Sequence, residues 1–476
     1  MRRRNLGFSD ISVSEVALGT QRWGGTDFNS PDEATCHQML DIATAAGVNF
    51  VDTAEQYPIP GGRNNPEGYT ERIIGSWLAK DPARRERLVI ASKITGGGNV
   101  TPKNIEADLQ GTLKRLGTDY LDVYLLHWPA RYTPQANWGQ SLEYNWLNGQ
   151  YSRGGASFEQ IAATMGKLVE QGKIRGWGST HQLHSNSPVA AEAASSRARR
   201  RNIRLESMPS THVCIPPVAV CNDNTYGLMG STMAAKQLGV TPPCVMQNDY
   251  SLLNRRIEEN GLSEASAPWN ENVGFLGYNT LAGGVLTGKC ERRRVLNSVP
   301  PCPSCGTVPN AHIARRPMPS PSTDLETPAS TDDSNPITKL QNSMRPRGRM
   351  DEAGWGRTLY RYRSGPATEA TRAYAAIAKE AGMSLTELSL RWCRSRRACT
   401  SVLLGQSSVA QLEEGLQYFS DEPCAQDEAG DFQEYLPGEV LWEIDRVHMR
   451  NRLPIFASTR VAKNWNGEGE IGENIP

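Results

Sequence analysis

The chain of 476 residues carries 51 Lys+Arg against 51 Asp+Glu, a formal net charge of zero, so it offers no net field to hold a polyanion and excludes nucleic acid or an acidic membrane surface as an expected partner. Mean hydropathy is −0.52 and no window approaches the ~18 apolar residues of a bilayer span, so no membrane insertion is expected. Ten sparse cysteines do not make a secreted disulfide framework and point to free thiols in a reducing compartment.

The start, MRRRNLGFSD, has arginines but no apolar h-region, which argues against a secretory or twin-arginine signal and leaves a cytoplasmic location as the expectation. Import into an organelle stays open if residues precede Met1. At roughly 150 residues per domain the length suggests about three domains, or one large enzyme domain with additions.

From residue 13 onward, short β-branched or aromatic runs alternate with helical patterns. The predicted order is strand Val13–Thr20, helix Pro31–Gly47, strand Asn49–Ala54, helix Thr70–Ala79, strand Leu88–Lys93, helix Asn104–Leu116 and strand Tyr120–His127. Next come helix Phe158–Gln171 ended by Gly172, strand Ile174–Gly178, helix Tyr226–Leu238 ended by Gly239, and strands Cys244–Tyr250 and Val273–Tyr278. One long helix over Thr371–Trp392, strand Ser401–Gly405 and helix Val409–Phe419 complete the pattern. Eight strand candidates, most followed by helical sequence, imply a parallel sheet closed into a (β/α)8 TIM barrel. An open doubly wound sheet should carry G-x-G-x-x-G after the first strand, but that turn reads Gly19-Thr20-Gln21-Arg22-Trp23-Gly24.

Three stretches break the rhythm and are expected to be low-order inserts: Thr180–Val220 with its RARRR run, Glu291–Ser343, and about Cys424–Tyr435. The first two are too rich in Ser, Pro and Ala to offset their ordering entropy and read as disordered. The tail over 461–476 reads as flexible, so the expected organisation is a barrel across 1–460 interrupted three times. Within the second insert Cys302 and Cys305 form a lone CPSC without the second pair of a zinc site, so no metal is expected.

In a barrel, chemistry sits at the C-terminal ends of the strands. Asp52 follows NFV, Tyr57 lies in the next loop, Lys93 ends LVIASK and His127 ends YLDVYLLH. Each alone has an ordinary structural role open to it, as a helix cap or as packing. Together they make a usable acid: an ammonium stabilises a phenolate and lowers a tyrosine pKa, a carboxylate keeps the lysine charged, and a histidine hydrogen-bonds a carbonyl oxygen.

With these residues in place, the strings ALGTQRWGG, FVDTAEQY, LVIASK, LKRLGTDYLDVYLLHWP, GKIRGWG, MQNDYSLLNR, LAGGVLTGK and SVLLGQSSVAQLEE resemble the aldo-keto reductase superfamily, in particular its potassium-channel β-subunit-like branch. The resemblance implies hydride transfer from NADPH to an aldehyde or ketone. It implies Tyr57 as general acid, Lys93 as its pKa-lowering partner, Asp52 as the carboxylate holding the lysine, and His127 as the group orienting the carbonyl. It also implies cofactor contacts at Thr20, Asp52, Gln247 and Tyr278, a diphosphate path along Asn279, Leu281, Gly283 and Lys289, and an adenosine end at Gly405, Ser407, Gln411 and Glu414.

Two features depart from that pattern. Gly415 stands where an adenine-contacting Asn is usual, and Ser179 is followed by THQLHSN rather than by the Asn that bonds the nicotinamide carboxamide. Removing Thr180–Val220 joins Ser179 to Cys221-Asn222-Asp223 and restores the pattern, with Cys221 in place of serine and Asn222 as the amide ligand; His181, His184 and Asn186 then belong to the insert. The inserts are either native additions that the barrel does not need or translated non-coding sequence.

Arg361 and Arg363 are candidates for a ribose 2′-phosphate, or are solvated surface arginines. Gly283–Lys289 nearly spells a phosphate loop, but Cys290 stands where Ser or Thr is required, and chance is the better reading. The expected partner is a small carbonyl substrate. Trp128–Ser157, with Trp128, Trp138, Tyr144 and Trp146, forms either an apolar wall over its pocket or packing under a loop. The alternative function is an NADPH-binding regulatory or scaffolding subunit with little turnover. Substrate identity and oligomeric state are not legible.

Overall fold

A computed structural model of the chain describes residues 1–26, 29–59, 66–133, 155–176, 218–288, 362, 364–427 and 433–456. An antiparallel hairpin of β1 (Arg3–Asn5) and β2 (Ser12–Ser14) opens the chain. Then follow β3 (Val16–Gly19), α1 (Glu33–Ala45), β4 (Phe50–Asp52), α2 (Tyr69–Leu78), α3 (Ala83–Arg87), β5 (Val89–Ile94), α4 (Pro102–Leu116), β6 (Leu121–Leu126), α5 (Phe158–Glu170) and β7 (Ile174–Gly176). The second half runs β8 (Val218–Cys221), α6 (Thr225–Leu238), β9 (Pro243–Asp249), α7 (Arg256–Glu259), α8 (Leu262–Ser266), β10 (Gly274–Tyr278), α9 (Gly365–Glu380), α10 (Leu385–Arg394), β11 (Ser401–Leu404) and α11 (Val409–Gln417). The short hairpin β12 (Ala425–Gln426) and β13 (Gln433–Glu434) and the helix α12 (Gly438–Arg450) end the described fold.

Parallel pairings run β3–β4–β5–β6, from β6 to both β7 and β8, then β8–β9–β10–β11 and back to β3. The sheet is therefore a ring of eight positions, one of them shared by β7 and β8. This is the predicted (β/α)8 barrel.

The shared position has a simple register. Leu121 and Val123 of β6 pair with Ile174 and Gly176, and Leu125 and Leu126 pair with Ala219 and Val220. Residues 219 and 220 thus fill the slots that 178 and 179 would have taken in an unbroken strand. The insert boundary predicted at 180–220 is corrected by this pairing: Val218–Val220 belong to the barrel, while 177–217 lie outside the described residues. Of the predicted strand Ile174–Gly178, Ile174–Gly176 forms β7 and residues 177–178 lie outside the described residues.

Strand side chains alternate between two cores because successive Cβ atoms point to opposite faces. Ala17, Phe50, Val89, Ala91, Val123, Leu125, Val245, Leu276 and Leu403 share one buried cluster with Leu6, Ile11 and Val13 of the opening hairpin. The residues between them, among them Leu18, Val51, Ile90, Tyr124, Met246, Phe275 and Val402, pack into the helix layer. Helix boundaries follow local chemistry. Thr101 caps α4 by accepting from the Asn104 N–H, Pro102 opens it and Gly117 closes it at φ 68°.

Three further expectations are corrected. Val13–Thr20 is not one strand: Ser12–Ser14 pairs with the opening hairpin and only Val16–Gly19 joins the barrel. The long helix Thr371–Trp392 is two helices, because Gly382 takes a left-handed φ of 71° and the Ser384 side chain starts α10 by accepting from the Glu387 N–H. Cys424–Tyr435 carries the β12–β13 pairing, and Tyr435 is buried beneath the Arg394 guanidinium, 3.4 Å from its ring centroid. Residues 428–432 of that stretch, the whole of Glu291–Ser343 with its CPSC pair, and the 461–476 tail lie outside the described residues.

Phe50 has no exposed surface and sits inside the ring. Phe50→Ala is expected to destabilise the fold by about 3–5 kcal/mol, to be measured by urea denaturation.

Candidate active site

The inward alternation of the barrel strands continues directly into the site. Asp52 lies two residues beyond Phe50, Lys93 two beyond Ala91, His127 two beyond Leu125, Gln247 two beyond Val245 and Tyr278 two beyond Leu276. Each is therefore the next inward side chain at the C-terminal end of its strand.

Lys93 has no exposed surface. Its Nζ donates to Asp52 Oδ2 and to the Thr53 carbonyl, each at 2.7 Å. Asp52 Oδ1 accepts from Gln247 Nε2 at 2.7 Å, so one carboxylate ties β4 to β5 and to β9 across the barrel. Thr20 is fully buried, and both its N–H (3.1 Å) and its hydroxyl (2.9 Å) donate to the Asp52 carbonyl.

Tyr57, 6% exposed, is brought over this pair by the loop after β4. Its N–H donates to Ala54 O at 3.1 Å and its carbonyl accepts from Gly68 N at 3.0 Å. The Lys93 ammonium lies 5.1 Å from the Tyr57 ring centroid, and the His127 ring meets Tyr57 edge-on at 5.6 Å. The four residues singled out from the sequence thus converge.

Burial of His127, and then the charge of Lys93, push its pKa well below the usual imidazole value, so the ring is neutral. Its Nδ1 has no hydrogen-bond partner among the described residues. Trp128 stacks on the ring at 6.1 Å with an interplanar angle of 18°; Trp138, Tyr144 and Trp146 lie outside the described residues.

Asn222 follows β8 in the left-handed region, at φ 55°. Its Nδ2 donates to the His127 carbonyl at 2.8 Å and its Oδ1 accepts from the Tyr278 hydroxyl at 2.5 Å. Cys221 stands opposite Gln247 in the β8–β9 register. The excision pattern therefore places Asn222 at the site even though the strand before it comes from the supposed insert.

After β10 the chain turns through residues of positive φ: Asn279 (55°), Ala282 (49°), Gly283 (65°) and Gly284 (99°). A Cβ at Gly284 would meet nothing within 4 Å, so the turn leaves open space over its backbone. Leu281 anchors it by packing on the core. The described part of this turn is 3-10 over Ala282–Thr287. Lys289, Arg361 and Arg363 lie outside the described residues.

At the far end, Gly405 is exposed, the Ser407 N–H donates to Gln411 Oε1 at 3.1 Å, and Glu414 accepts from the Tyr418 hydroxyl at 3.2 Å. Gly415 has a packing reason: a Cβ there would come within 3.0 Å of Gln406 Nε2 and 3.2 Å of Leu404 Cδ1.

The structure adds residues that the sequence did not single out. Arg131, in the loop after β6, makes a two-pronged ion pair with Asp223 beside Asn222. A cavity of about 490 Å³ lies next to this pair, walled by Leu126, Pro129, Phe158, Ile161 and Tyr226. The pair spans 92 positions of the chain, and no local pattern announces such a contact.

Comparison with known proteins gives the family. The sequence model of the Aldo/keto reductase family matches residues 15–194 and 218–436, resuming where β8 begins. The chain belongs to the aldo/keto reductase family, a family of oxidoreductases. It is 28% identical over 469 residues to Protein tas of Escherichia coli strain K12, covering 95% of this chain and 99% of the relative. It is 24% identical over 296 residues to the Aldo-keto reductase YhdN of Bacillus subtilis strain 168, covering 61% of this chain and 65% of the relative. The Uncharacterized oxidoreductase YrpG of the same organism is 33% identical over 163 residues, 32% of this chain and 48% of the relative. These matches bear on the family and not on its channel-subunit branch.

Two outcomes are expected of the site's charges. Lys93→Met strands the Asp52 carboxylate in a buried site and should cost about 3–5 kcal/mol of stability, read by urea denaturation. Because His127 is neutral when folded and has an ordinary pKa when unfolded, the unfolded chain binds its proton first. Stability is therefore fullest above pH ~6.5 and falls below it, by up to ~1.4 kcal/mol per pH unit for this one group. His448, also lowered by burial, acts with the same sign. Denaturation at two pH values should show a shallower loss in His127→Gln than in the wild type.

Proposed function

We propose that the protein is an NADPH-dependent carbonyl reductase that converts small aldehydes or ketones to alcohols, with Tyr57 as the general acid. The observation that carries this reading is the convergence of the Tyr57 phenol on a fully buried Lys93–Asp52 pair beside a neutral imidazole. Membership of the aldo/keto reductase family supports it.

The residues present suit a nicotinamide dinucleotide. Asn222 and Gln247 offer amide groups at the barrel mouth, Tyr278 an aromatic ring beside them, and the open left-handed turn from Asn279 to Gly284 a backbone cradle for a diphosphate. Gly405, Ser407, Gln411 and Glu414 would take the adenosine end. Bound NADPH supplies the hydride.

The chain's own residues handle the proton. As the carbonyl carbon gains its hydride, the oxygen gains negative charge and takes the Tyr57 hydroxyl proton. The phenolate left behind is stabilised by the Lys93 ammonium, which Asp52 keeps charged and in place. His127, neutral, presents its imidazole to the carbonyl oxygen and orients it without competing for the proton.

A small carbonyl compound is the proposed partner, and a cytoplasmic location the proposed setting. Among the described residues no helix is long and apolar enough to cross a membrane, and Cys36, Cys244, Cys393, Cys399 and Cys424 are free thiols.

Single-turnover oxidation of bound NADPH by a panel of aldehydes tests the assignment. Tyr57→Phe should lower the rate by about 10²–10⁴ and leave NADPH binding nearly intact, because only the proton donor is lost. Equal, slow oxidation by wild type and variant would remove the catalytic assignment and leave a cofactor-binding regulatory subunit.

A further inference from the structure

Asn222 owes its position to more than the strand that precedes it in sequence. That ring position is shared, β7 ending at Gly176 and β8 beginning at Val218. Peptide continuity from β7 therefore does not fix where Asn222 stands, and its placement rests on cross-links to other strands.

Some of these are backbone bonds. Ala219 and Val220 pair with β6, Cys221 pairs with Gln247, and the Asn222 N–H donates to the Gln247 carbonyl at 2.8 Å. The others come from the loop after β6. The His127 carbonyl accepts from Asn222 Nδ2 at 2.8 Å. Four residues on, Arg131 grips Asp223 with two bonds of 3.0 and 2.6 Å and reaches Asn224 Oδ1 at 3.1 Å.

The grip is built rather than incidental. The Asp223 side chain is 2% exposed, and its carboxylate occupies space that a Cβ on Gly227 would fill, at 2.1 Å. Asn248 Nδ2 donates to the Asp223 carbonyl at 2.8 Å. The Arg131 guanidinium lies against the Phe158 and Tyr226 rings, 5.4 and 5.3 Å from their centroids, and the two rings meet each other edge-on at 5.9 Å. A planar fork against two rings, matched to both carboxylate oxygens, is a geometry that lysine cannot reproduce.

We propose that Arg131 is a positioning residue: its ion pair with Asp223 locks the turn after β8 to the His127 loop and so holds Asn222 where it brackets the nicotinamide of the cofactor. This rests on the NADPH reading of the site. Arg131 itself touches no reacting atom.

The test uses the full chain with Arg131→Lys and the near-isosteric Asp223→Asn, and two ligands measured by equilibrium binding. NADPH should bind about tenfold more weakly to each variant, the size of one lost net hydrogen bond. The adenosine bisphosphate fragment of NADP, which lacks the nicotinamide, should bind as it does to the wild type. Equal weakening of both ligands would mean general structural damage, and no weakening of either would mean no role; both overturn the proposal. Hydrogen exchange at the amides of residues 222–228 provides a readout independent of cofactor, with faster exchange expected in both variants. If the wild type binds no NADPH, the functional reading falls by itself, and unchanged exchange at 222–228 then overturns the positioning role separately.

Discussion

The Lys93–Asp52 pair is the constraint around which the mouth of the barrel is organised. An ammonium with no exposed surface is tolerable only when its desolvation is offset by close partners, and Lys93 has two, at 2.7 Å each. Asp52 in turn uses its second oxygen for Gln247, which ties strands from opposite sides of the ring. Burial, and then the Lys93 charge, keep the adjacent imidazole of His127 unprotonated. In the proposed reaction the same ammonium would stabilise the Tyr57 phenolate.

Beyond the mouth, buried carboxylates fasten the helices to the outer face of the ring. Asp122, fully buried, receives Arg85 of α3, Arg175 of β7 and the Ile90 N–H. Glu71 of α2 receives Arg115 of α4 and the Ser92 hydroxyl of β5. A further network joins Tyr250 and Glu258 to Arg255 and Arg396, with Arg255 extending to Asp445 on α12. In each, removing one partner would strand a charge in a site with little water, so these contacts specify how helices dock as well as hold them.

The shared strand position shows how the ring tolerates an interruption. Half of that position is supplied on each side of 177–217, and the register across β6 is what an unbroken strand would have given. Hydrogen bonding to two neighbouring strands fixes the upper half without help from the lower one. Asn222, which follows this position, therefore remains in reach of His127 and Tyr278.

By itself the sequence determined the alternation of strands and helices, and with it the barrel, because period-two and helical spacings are local properties of the chain. It also placed Asp52, Lys93 and His127, since each ends a strand, and Tyr57, which follows one. What was not legible locally was decided by tertiary structure. The break in Thr371–Trp392 is local turn chemistry at Gly382 and Ser384 that the helical spacing overrode, whereas the membership of Val218–Val220 in the ring depended on pairing with β6 and β9. Arg131 and Asp223 met only because the barrel closed. Hydrophobic periodicity and turn chemistry act between near neighbours and can be read in order along the chain. Registers across an interruption and buried ion pairs between distant segments are settled only when the ring closes and water leaves its mouth.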